Sequence, residues 1–203
     1  MKETKNSIKK ATALFRQRGG ILRTAEAMRL GIHPRTIYEM RASGLIEQIG
    51  RGLYRLSSLP PLSSPDLASA SLQVPGGVIC LISALAFHEI TTQVPHEVYM
   101  ALQRGAKKPK IDHPPVRIFW LSAKAYSEGI ETHSIDDIPL RVYCPEKTIA
   151  DCFKYRNKIG LDVSVEALRL YLKRRDKDIN KVMHYARICR VEKIILPYIE
   201  AII

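Results

Sequence analysis

RTAEAMRLGIHPRTIYEMRASGLIEQIGRGLYRL, residues 23–56, is the stretch that decides how the first part of the chain folds. It contains two short segments of helical character separated by Gly31, then two apolar segments on either side of Gly50-Arg51-Gly52. Glycine adopts positive φ without strain, so both glycine sites are expected to be tight turns. Two helices joined by a turn and followed by a hairpin outline a winged helix-turn-helix, whose second helix enters the major groove of DNA.

The residues just upstream extend this predicted module. A first helix is expected over about residues 5–18, because apolar residues recur there on one face and Gly19-Gly20 follows. The residues of that face are Ile8, Ala11, Leu14 and Phe15. Ile21-Leu22 is expected to form a short strand that pairs with the hairpin.

Local signals set the bounds of the two helices in the quoted stretch. Thr24 is predicted to be the N-cap of the first, because a threonine hydroxyl accepts a backbone N–H of the next turn. Pro34 suits the first position of the second, the recognition helix, expected over residues 34–43. On that helix Ile37 and Met40 share the face that packs inward. The hairpin strands, or wing, are expected over residues 46–49 and 53–56, with Arg51 at the tip.

Candidate DNA contacts lie on the outer face of the recognition helix, around its start, at the wing tip and in a second basic segment. They are Arg23, Thr24, His33, Arg35, Thr36, Tyr38, Glu39, Arg41, Arg51, Lys107 and Lys108. Arg35 is suited to base edges, and Arg51 to the DNA backbone or the minor groove. Three alternatives stay open: Tyr38 fills the seam between helix and hairpin, Arg51 is a solvated turn residue, and RGAKKPK (residues 104–110) is a solvated loop.

The charge distribution points the same way. The 203-residue chain has a formal net charge of +12. Residues 1–56 carry 12 Lys or Arg against 4 Asp or Glu, whereas residues 57–203 carry 20 against 16. A basic first quarter joined to a nearly balanced remainder predicts a module that binds a polyanion, fused to a second unit.

The cysteines and the apolar pattern bear on the cellular compartment. The 4 cysteines include no CxxC pair, and each lies in an apolar stretch, which favours buried, reduced thiols. No signal-peptide pattern and no apolar run of membrane-spanning length is visible. We therefore expect a cytoplasmic protein that does not contact a membrane.

Composition also divides the chain. SSLPPLSSP, residues 57–65, is rich in Ser and Pro and offers little to pack, so a surface linker is expected there. The predicted domains are a winged helix-turn-helix over residues 1–58, a linker over 59–65 and a second domain over 66–203. The predicted fold class is α+β, with a mixed α/β second domain that ends in helices.

Within the second domain, helices and strands alternate at first. Asp66 is predicted to cap a helix that runs to about residue 72, and a further helix is expected over 83–89. Residues 98–102, 116–121 and 140–143 are rich in β-branched and aromatic residues, which indicates strands.

The end of the second domain is predicted to be helical. Pro145 opens a helix, PEKTIADCFKY, whose core face is expected to hold Ile149, Cys152 and Phe153. Asp162 and Asp178 are each predicted to cap a helix. A last helix is expected over residues 191–203, kinked near Pro197.

No motif supports catalysis or a cofactor. The 6 histidines show no HExxH pattern, and no cysteine and histidine cluster has the spacing of a zinc site. Neither a P-loop nor GxGxxG is present. The acidic run Ser134-Ile135-Asp136-Asp137 is better explained as a strand and its turn. We therefore expect no enzyme, no metal and no cofactor.

These residues together resemble the AbiEi family of antitoxins from type IV toxin–antitoxin systems, which act as transcriptional regulators. The N-terminal part of the resemblance is the quoted stretch. The C-terminal part rests on VPGGVICLISALAFHEITTQVPHEVYMAL, on VYCPEKTIADCFKYRNKIGLDVSVEALRLYL and on ARICRVEKIILPYI.

The resemblance implies both a function and a partner. It implies an N-terminal winged helix that binds operator repeats in double-stranded DNA upstream of its own operon and represses it. It implies a C-terminal domain with antitoxin activity, functionally linked to a nucleotidyltransferase-like toxin encoded next door. In this family neutralisation is taken not to need a stable complex.

Two other classes of function compete with this one. A protein-interaction antitoxin would neutralise the toxin by direct contact, and Arg35 and Arg51 would matter little to it. A DNA-processing enzyme targeted by the winged helix would need a cluster of acids or metal ligands, which the sequence does not offer.

Overall fold

The computed structural model describes residues 2–202, with side chains from Asn6 onward. Met1 and Ile203, the outer bounds of the two predicted domains, lie outside the described residues. The N-terminal module consists of α1 (Lys2–Gln17), β1 (Ile21–Arg23), α2 (Thr24–Arg29), α3 (Pro34–Ala42), β2 (Ile46–Gly50) and β3 (Leu53–Leu56). Its three strands form an antiparallel sheet in the order β1-β3-β2. This is the predicted winged helix-turn-helix, including the short strand at Ile21-Leu22.

A single apolar cluster holds this module together. Phe15 from α1 and Met40 from α3 are both fully buried in it, and Leu22 joins them from β1. The helical face predicted for α1 therefore packs against the inner face of α3. Burying a large apolar side chain stabilises a fold by about 1.5–3 kcal/mol. This cluster fixes the angle at which the outer face of α3 is presented.

The start of α2 differs from the prediction. Arg23 occupies the N-cap position, with no side-chain cap, and Thr24 is the first helical residue. The Thr24 hydroxyl donates to the carbonyl of Gly52 at 3.2 Å, and its backbone N–H donates to the same oxygen at 2.8 Å. Gly52 sits at φ 63° in the hairpin turn, so Thr24 ties α2 to the wing instead of capping the helix.

Residues 57–65 are held more firmly than a linker with little to pack. Arg55, buried in β3, donates to the carbonyl of Pro60. Leu59 packs against the N-terminal core, and Leu62 packs on the second domain. The backbone N–H of Ser63 donates to Asp136 at 2.7 Å. The predicted linker is thus attached to the N-terminal module through Leu59 and to the second domain through Leu62. Its high content of Ser and Pro does not indicate these contacts.

The second part of the chain is built on one five-stranded sheet in the order β6-β5-β4-β8-β7. Its strands are β4 (Val78–Ile79), β5 (Val98–Gln103), β6 (Val116–Leu121), β7 (Ile130–Ile135) and β8 (Ile138–Tyr143). β5 and β6 run parallel, as do β4 and β8, whereas β4 pairs antiparallel with β5 and β7 with β8. The mixed sheet confirms the predicted fold class.

Helices surround this sheet and complete the chain. They are α4 (Pro65–Gln73), α5 (Leu81–Phe87), α6 (Ala123–Ser127), α7 (Pro145–Lys154), α8 (Arg156–Ile159), α9 (Leu161–Leu172), α10 (Ile179–Cys189) and α11 (Glu192–Ile202). Residues of α5, α7, α9, α10 and α11 share one large core with residues of the sheet, while α4 contributes to two smaller clusters. None of the helices in residues 2–202 is both long and apolar enough to cross a membrane.

Several local predictions for this part need correction. Asp66 and Asp162 do not cap their helices: Ser64 and Gly160 occupy the N-cap positions, without side-chain caps. Asp178 does cap α10, accepting the N–H of Lys181 at 3.0 Å. Pro197 lies inside α11, as predicted, and α11 runs from Glu192 to Ile202; the kink near Pro197 stays a prediction. Helices α6 and α8 and strand β4 were not predicted, and of β7 only the end at Ser134-Ile135 was, as a strand that leads into the turn at Asp136-Asp137.

Candidate nucleic-acid interface

The outer face of α3 carries the predicted base-reading side chains. The side chain of Arg35 is 83% exposed, and Tyr38 is 64% exposed. Arg41 is exposed on the next turn, whereas Ile37 and Met40 are buried on the opposite face. Tyr38 therefore does not fill the seam between helix and hairpin. Two arginines and a tyrosine on one uncovered helical face can donate to base edges and phosphates.

The start of α3 is fixed by His33. The His33 Nδ1 accepts the backbone N–H of Arg35 at 3.2 Å and thereby serves as the N-cap. Pro34 at the first helical position has no N–H that needs a partner. Helix N-termini carry partial positive charge and bind phosphates. His33 is exposed, so this end of α3 is open to solvent.

Arg35 is held along the helix by Glu39. The Arg35 Nε lies 3.2 Å from the Glu39 Oε1, one helical turn further on. An exposed pair at this spacing contributes only a few tenths of a kcal/mol, about 0.3–0.5. Arg35 is therefore oriented at little cost and is readily released to a stronger acceptor, while Glu39 supplies an acceptor of its own.

The wing presents Arg51. Its side chain is 70% exposed at the hairpin tip, and its Nη1 lies 3.8 Å from the Oδ2 of Asp112. Asp112 belongs to the segment between β5 and β6 that also contains the predicted basic run. The neighbouring His113 carbonyl accepts the side-chain amide of Gln73 on α4 at 2.9 Å, which anchors this end of the segment.

The segment between β5 and β6 therefore lies beside the wing, and the residue that contacts Arg51 is the acidic Asp112. Lys107 and Lys108 are exposed in the same segment, five and four residues before Asp112. They are available to a polyanion that passes the wing, although Asp112 and not a lysine meets Arg51.

The remaining predicted contacts differ in accessibility. Arg23 is exposed beside the start of α2, and Thr24 is partly buried by its bonds to Gly52. Thr36 is only 8% exposed and lies on the inner side of α3, so its side chain is not available to DNA. Arg55 is also withdrawn from the basic surface, because its buried side chain pairs with Glu47 at 3.0 Å.

Within the described residues, neither a metal-ion site nor a reactive cysteine accompanies this surface. Within residues 2–202, no group of three or more His, Cys, Asp or Glu side chains could hold a metal ion. The cysteines Cys80, Cys144, Cys152 and Cys189 are free and buried. Burial raises the pKa of the Cys144 thiol to about 11 and that of the Cys189 thiol to about 12. Both therefore remain protonated, poorly nucleophilic thiols at neutral pH.

A known protein family matches the winged-helix module. Residues 9–57 match a family described as "Transcriptional regulator, AbiEi antitoxin". The match covers nearly all of the winged-helix module and supports the family that the sequence resembles. None of the curated proteins matches the sequence significantly.

One solved structure shares the fold over most of the chain. The RV2827C protein from Mycobacterium tuberculosis aligns with a TM-score of 0.61 and 15% sequence identity, covering 87% of this chain and 69% of that one. At this identity the likeness is one of fold.

Proposed function

We propose that this chain is a sequence-specific DNA-binding repressor that autoregulates its own operon. The observation that carries the proposal is the row of exposed Arg35, Tyr38 and Arg41 on α3, beside the exposed Arg51 of the wing. Residues 1–56 add an excess of eight positive charges. The match of residues 9–57 to a family of transcriptional regulators agrees with this assignment.

In the proposed complex, α3 enters the major groove. Arg35 reads a base, and arginine typically donates two hydrogen bonds to the O6 and N7 of guanine. Arg51 contacts the backbone or the minor groove, and Arg23, Arg41, Lys107 and Lys108 contact phosphates, which position the protein without reading sequence. His33 lies just before Arg35 and Glu39 one helical turn after it, and both are proposed to contact the DNA as well.

We further propose that the repressor is the antitoxin of a type IV toxin–antitoxin system, functionally linked to a nucleotidyltransferase-like toxin. The description of the matched family as an antitoxin supports the antitoxin role, and the type IV class and the toxin partner follow from the family resemblance. A repressor acts where its operon lies, so the protein is proposed to be cytoplasmic and to have no catalytic role. Residues 1–58 would form the DNA-binding domain, 59–65 the linker and 66–203 the antitoxin domain.

The test of DNA binding is fluorescence anisotropy with the duplex immediately upstream of this protein's start codon. A shuffled duplex of the same composition is the control, at about 150 mM salt, because phosphate contacts make affinity depend steeply on salt. A preference for the native duplex of roughly tenfold or more is expected of a specific regulator. Equal binding to both duplexes would contradict the proposed autoregulation.

A protein-contact antitoxin is the second candidate. It is favoured by Met28 and Leu45, which are 51% and 41% exposed on the same module. Exposed apolar side chains of this size suit a protein interface better than a phosphate backbone. Co-expression with the neighbouring toxin separates the two: a stable complex that survives purification supports direct contact, whereas growth rescue without a complex supports the type IV assignment.

A further inference from the structure

A cleft on the C-terminal half gathers a second set of cations. It has a volume of about 520 Å³, within the range of small-molecule sites. Its charged lining residues are all basic: Arg104, Lys124, Lys154, Arg187 and Arg190. They come from the end of β5, from α6 and α7, and from the end of α10. The DNA-binding proposal uses none of them.

The cleft keeps a net positive charge after the negative groups around it are counted. The carboxyl ends of α7 and α10 lie at the cleft, and each helix end contributes roughly half a negative charge. Glu192 pairs with Arg187 at 2.8 Å and offsets one cation. Five cations therefore leave a net charge of roughly +3 once these are subtracted. Like charges held together repel, so an anionic ligand would stabilise the arrangement.

Two aromatic residues complete the lining. Trp120 is 38% exposed, although large apolar side chains are normally covered. Trp120 is among the residues that line the cleft, and its indole N–H donates to the carbonyl of Ala106 at 3.2 Å, which fixes the orientation of the ring. Tyr155 is partly buried, and burial raises its pKa to about 12, so it is a neutral hydrogen-bond donor. A fixed, half-exposed indole beside cations is suited to stack on a flat aromatic ring.

We propose that this cleft binds a nucleoside di- or triphosphate. The terminal phosphate carries about −1.5 to −2 charges at neutral pH and each inner phosphate adds one more, so a diphosphate or triphosphate would neutralise the roughly +3 of the lining. Arginine and lysine bind the phosphates, while the base stacks on Trp120. Cys189 also lines the cleft, but its thiol donates to Asp151 at 3.1 Å. The Cys189 thiol is therefore engaged with Asp151 and is not available as a nucleophile.

The chain's single tryptophan makes the test direct, because Trp120 is the only source of indole fluorescence. ATP is titrated into the full-length protein at about 150 mM salt, with excitation of the indole alone. Adenosine, pyrophosphate and duplex DNA are titrated in parallel. We expect saturable quenching by ATP, weak or no response to adenosine, and displacement of ATP by pyrophosphate only at concentrations roughly tenfold higher.

The variants Arg104→Gln and Lys154→Gln should each weaken ATP binding roughly tenfold, the loss expected for a charge-assisted contact. Arg169→Gln, an exposed charge on α9 outside the cleft, should leave it unchanged. Absence of quenching by ATP, or equal affinity for ATP and pyrophosphate, would overturn the nucleotide assignment. Quenching by duplex DNA but not by ATP would identify a nucleic-acid backbone site instead. Because the readout comes from Trp120, it is independent of operator binding by the wing.

Discussion

The guanidinium of Arg51 at the wing tip lies 3.8 Å from the carboxylate of Asp112, in a segment that joins two strands of the C-terminal sheet. Both side chains are largely exposed, 70% and 76% respectively. The proposed DNA-binding group of the N-terminal module therefore faces an acid from the other half of the chain. In the proposed complex, DNA phosphates would compete with this carboxylate for Arg51, so we expect Asp112 to weaken DNA binding.

Removing that competitor should strengthen DNA binding. An exposed ion pair is worth about 0.2–1 kcal/mol, so Asp112→Asn should raise affinity for duplex DNA about 1.5- to 5-fold. Anisotropy titrations at several salt concentrations measure the gain. Asp137→Asn, the same charge change on the turn between β7 and β8, is the matched control. An equal gain in both variants would mean that only net charge matters and that Asp112 has no special position.

Arg35 and Arg51 should contribute to DNA binding in different ways. Arg35→Ala should cost about 1–3 kcal/mol on the native duplex and should narrow the gap to a shuffled duplex, because a base contact is lost. Arg51→Ala should weaken both duplexes alike and reduce the salt slope by about one ion. Arg169→Ala on α9 removes the same charge away from the module. If Arg35→Ala binds both duplexes as the parent does, the proposed recognition face is wrong.

The recognition module was predictable because its signals are local. The inward positions Ile37 and Met40 follow helical periodicity, and Gly52 marks the hairpin turn within a few residues of Arg51. Most of strand β7 was missed because Ile130 and Ile135 enclose a polar run at the sheet edge, and only its end at Ser134-Ile135 was predicted. The pattern of apolar residues is a weak predictor of such edge strands, since one face of the strand remains in contact with water.

The basic cleft and the buried charged residues of α7 could not be predicted from the sequence. The basic cleft draws residues from Arg104 to Arg190, which only the folded sheet and helices bring together. In α7, the polar residues Lys147 and Asp151 normally indicate a solvent face, yet both are fully buried. Tertiary packing on all sides of the helix overrides the pattern.

Stability should fall in mildly acidic solution because of His88. Its Nε2 lies 2.7 Å from the carbonyl of Tyr143, and burial lowers its pKa below the usual 6.5, although that carbonyl and Glu131 act to raise it. The unfolded chain thus takes up the proton first. Stability is retained above pH 6.5 and is lost as pH falls from there towards the lower pKa of the folded state, by up to about 1.4 kcal/mol per pH unit.

Urea unfolding between pH 7.5 and 5 measures this slope. His88→Gln should flatten it, whereas His184→Gln, an exposed histidine on α10, should leave the slope as in the parent. A parental slope in the His88 variant would assign the acid sensitivity to another group.

Breaking the buried pair of Lys147 and Asp151 should strongly destabilise the C-terminal half. The Lys147 Nζ lies 2.5 Å from the Asp151 Oδ2 and 4.2 Å from the centre of the Tyr143 ring. Burial acts to lower the pKa of Lys147, but the Asp151 carboxylate outweighs it and the pKa is raised, so the ammonium form persists. Lys147→Met would leave the carboxylate buried with the Cys189 thiol as its remaining donor in the described contacts.

Such a loss of one partner typically costs about 3–5 kcal/mol, because a charge stays buried without compensation. We therefore expect Lys147→Met to lower the free energy of unfolding by that amount in urea titrations. The double variant Lys147→Met, Asp151→Leu should recover most of it, since two apolar side chains of similar volume need no partner. Glu97→Gln, which breaks the more exposed pair with Arg117, should change stability by less than about 1 kcal/mol. If the double variant is as unstable as Lys147→Met, the loss lies in packing around α7 and not in the uncompensated charge of Asp151.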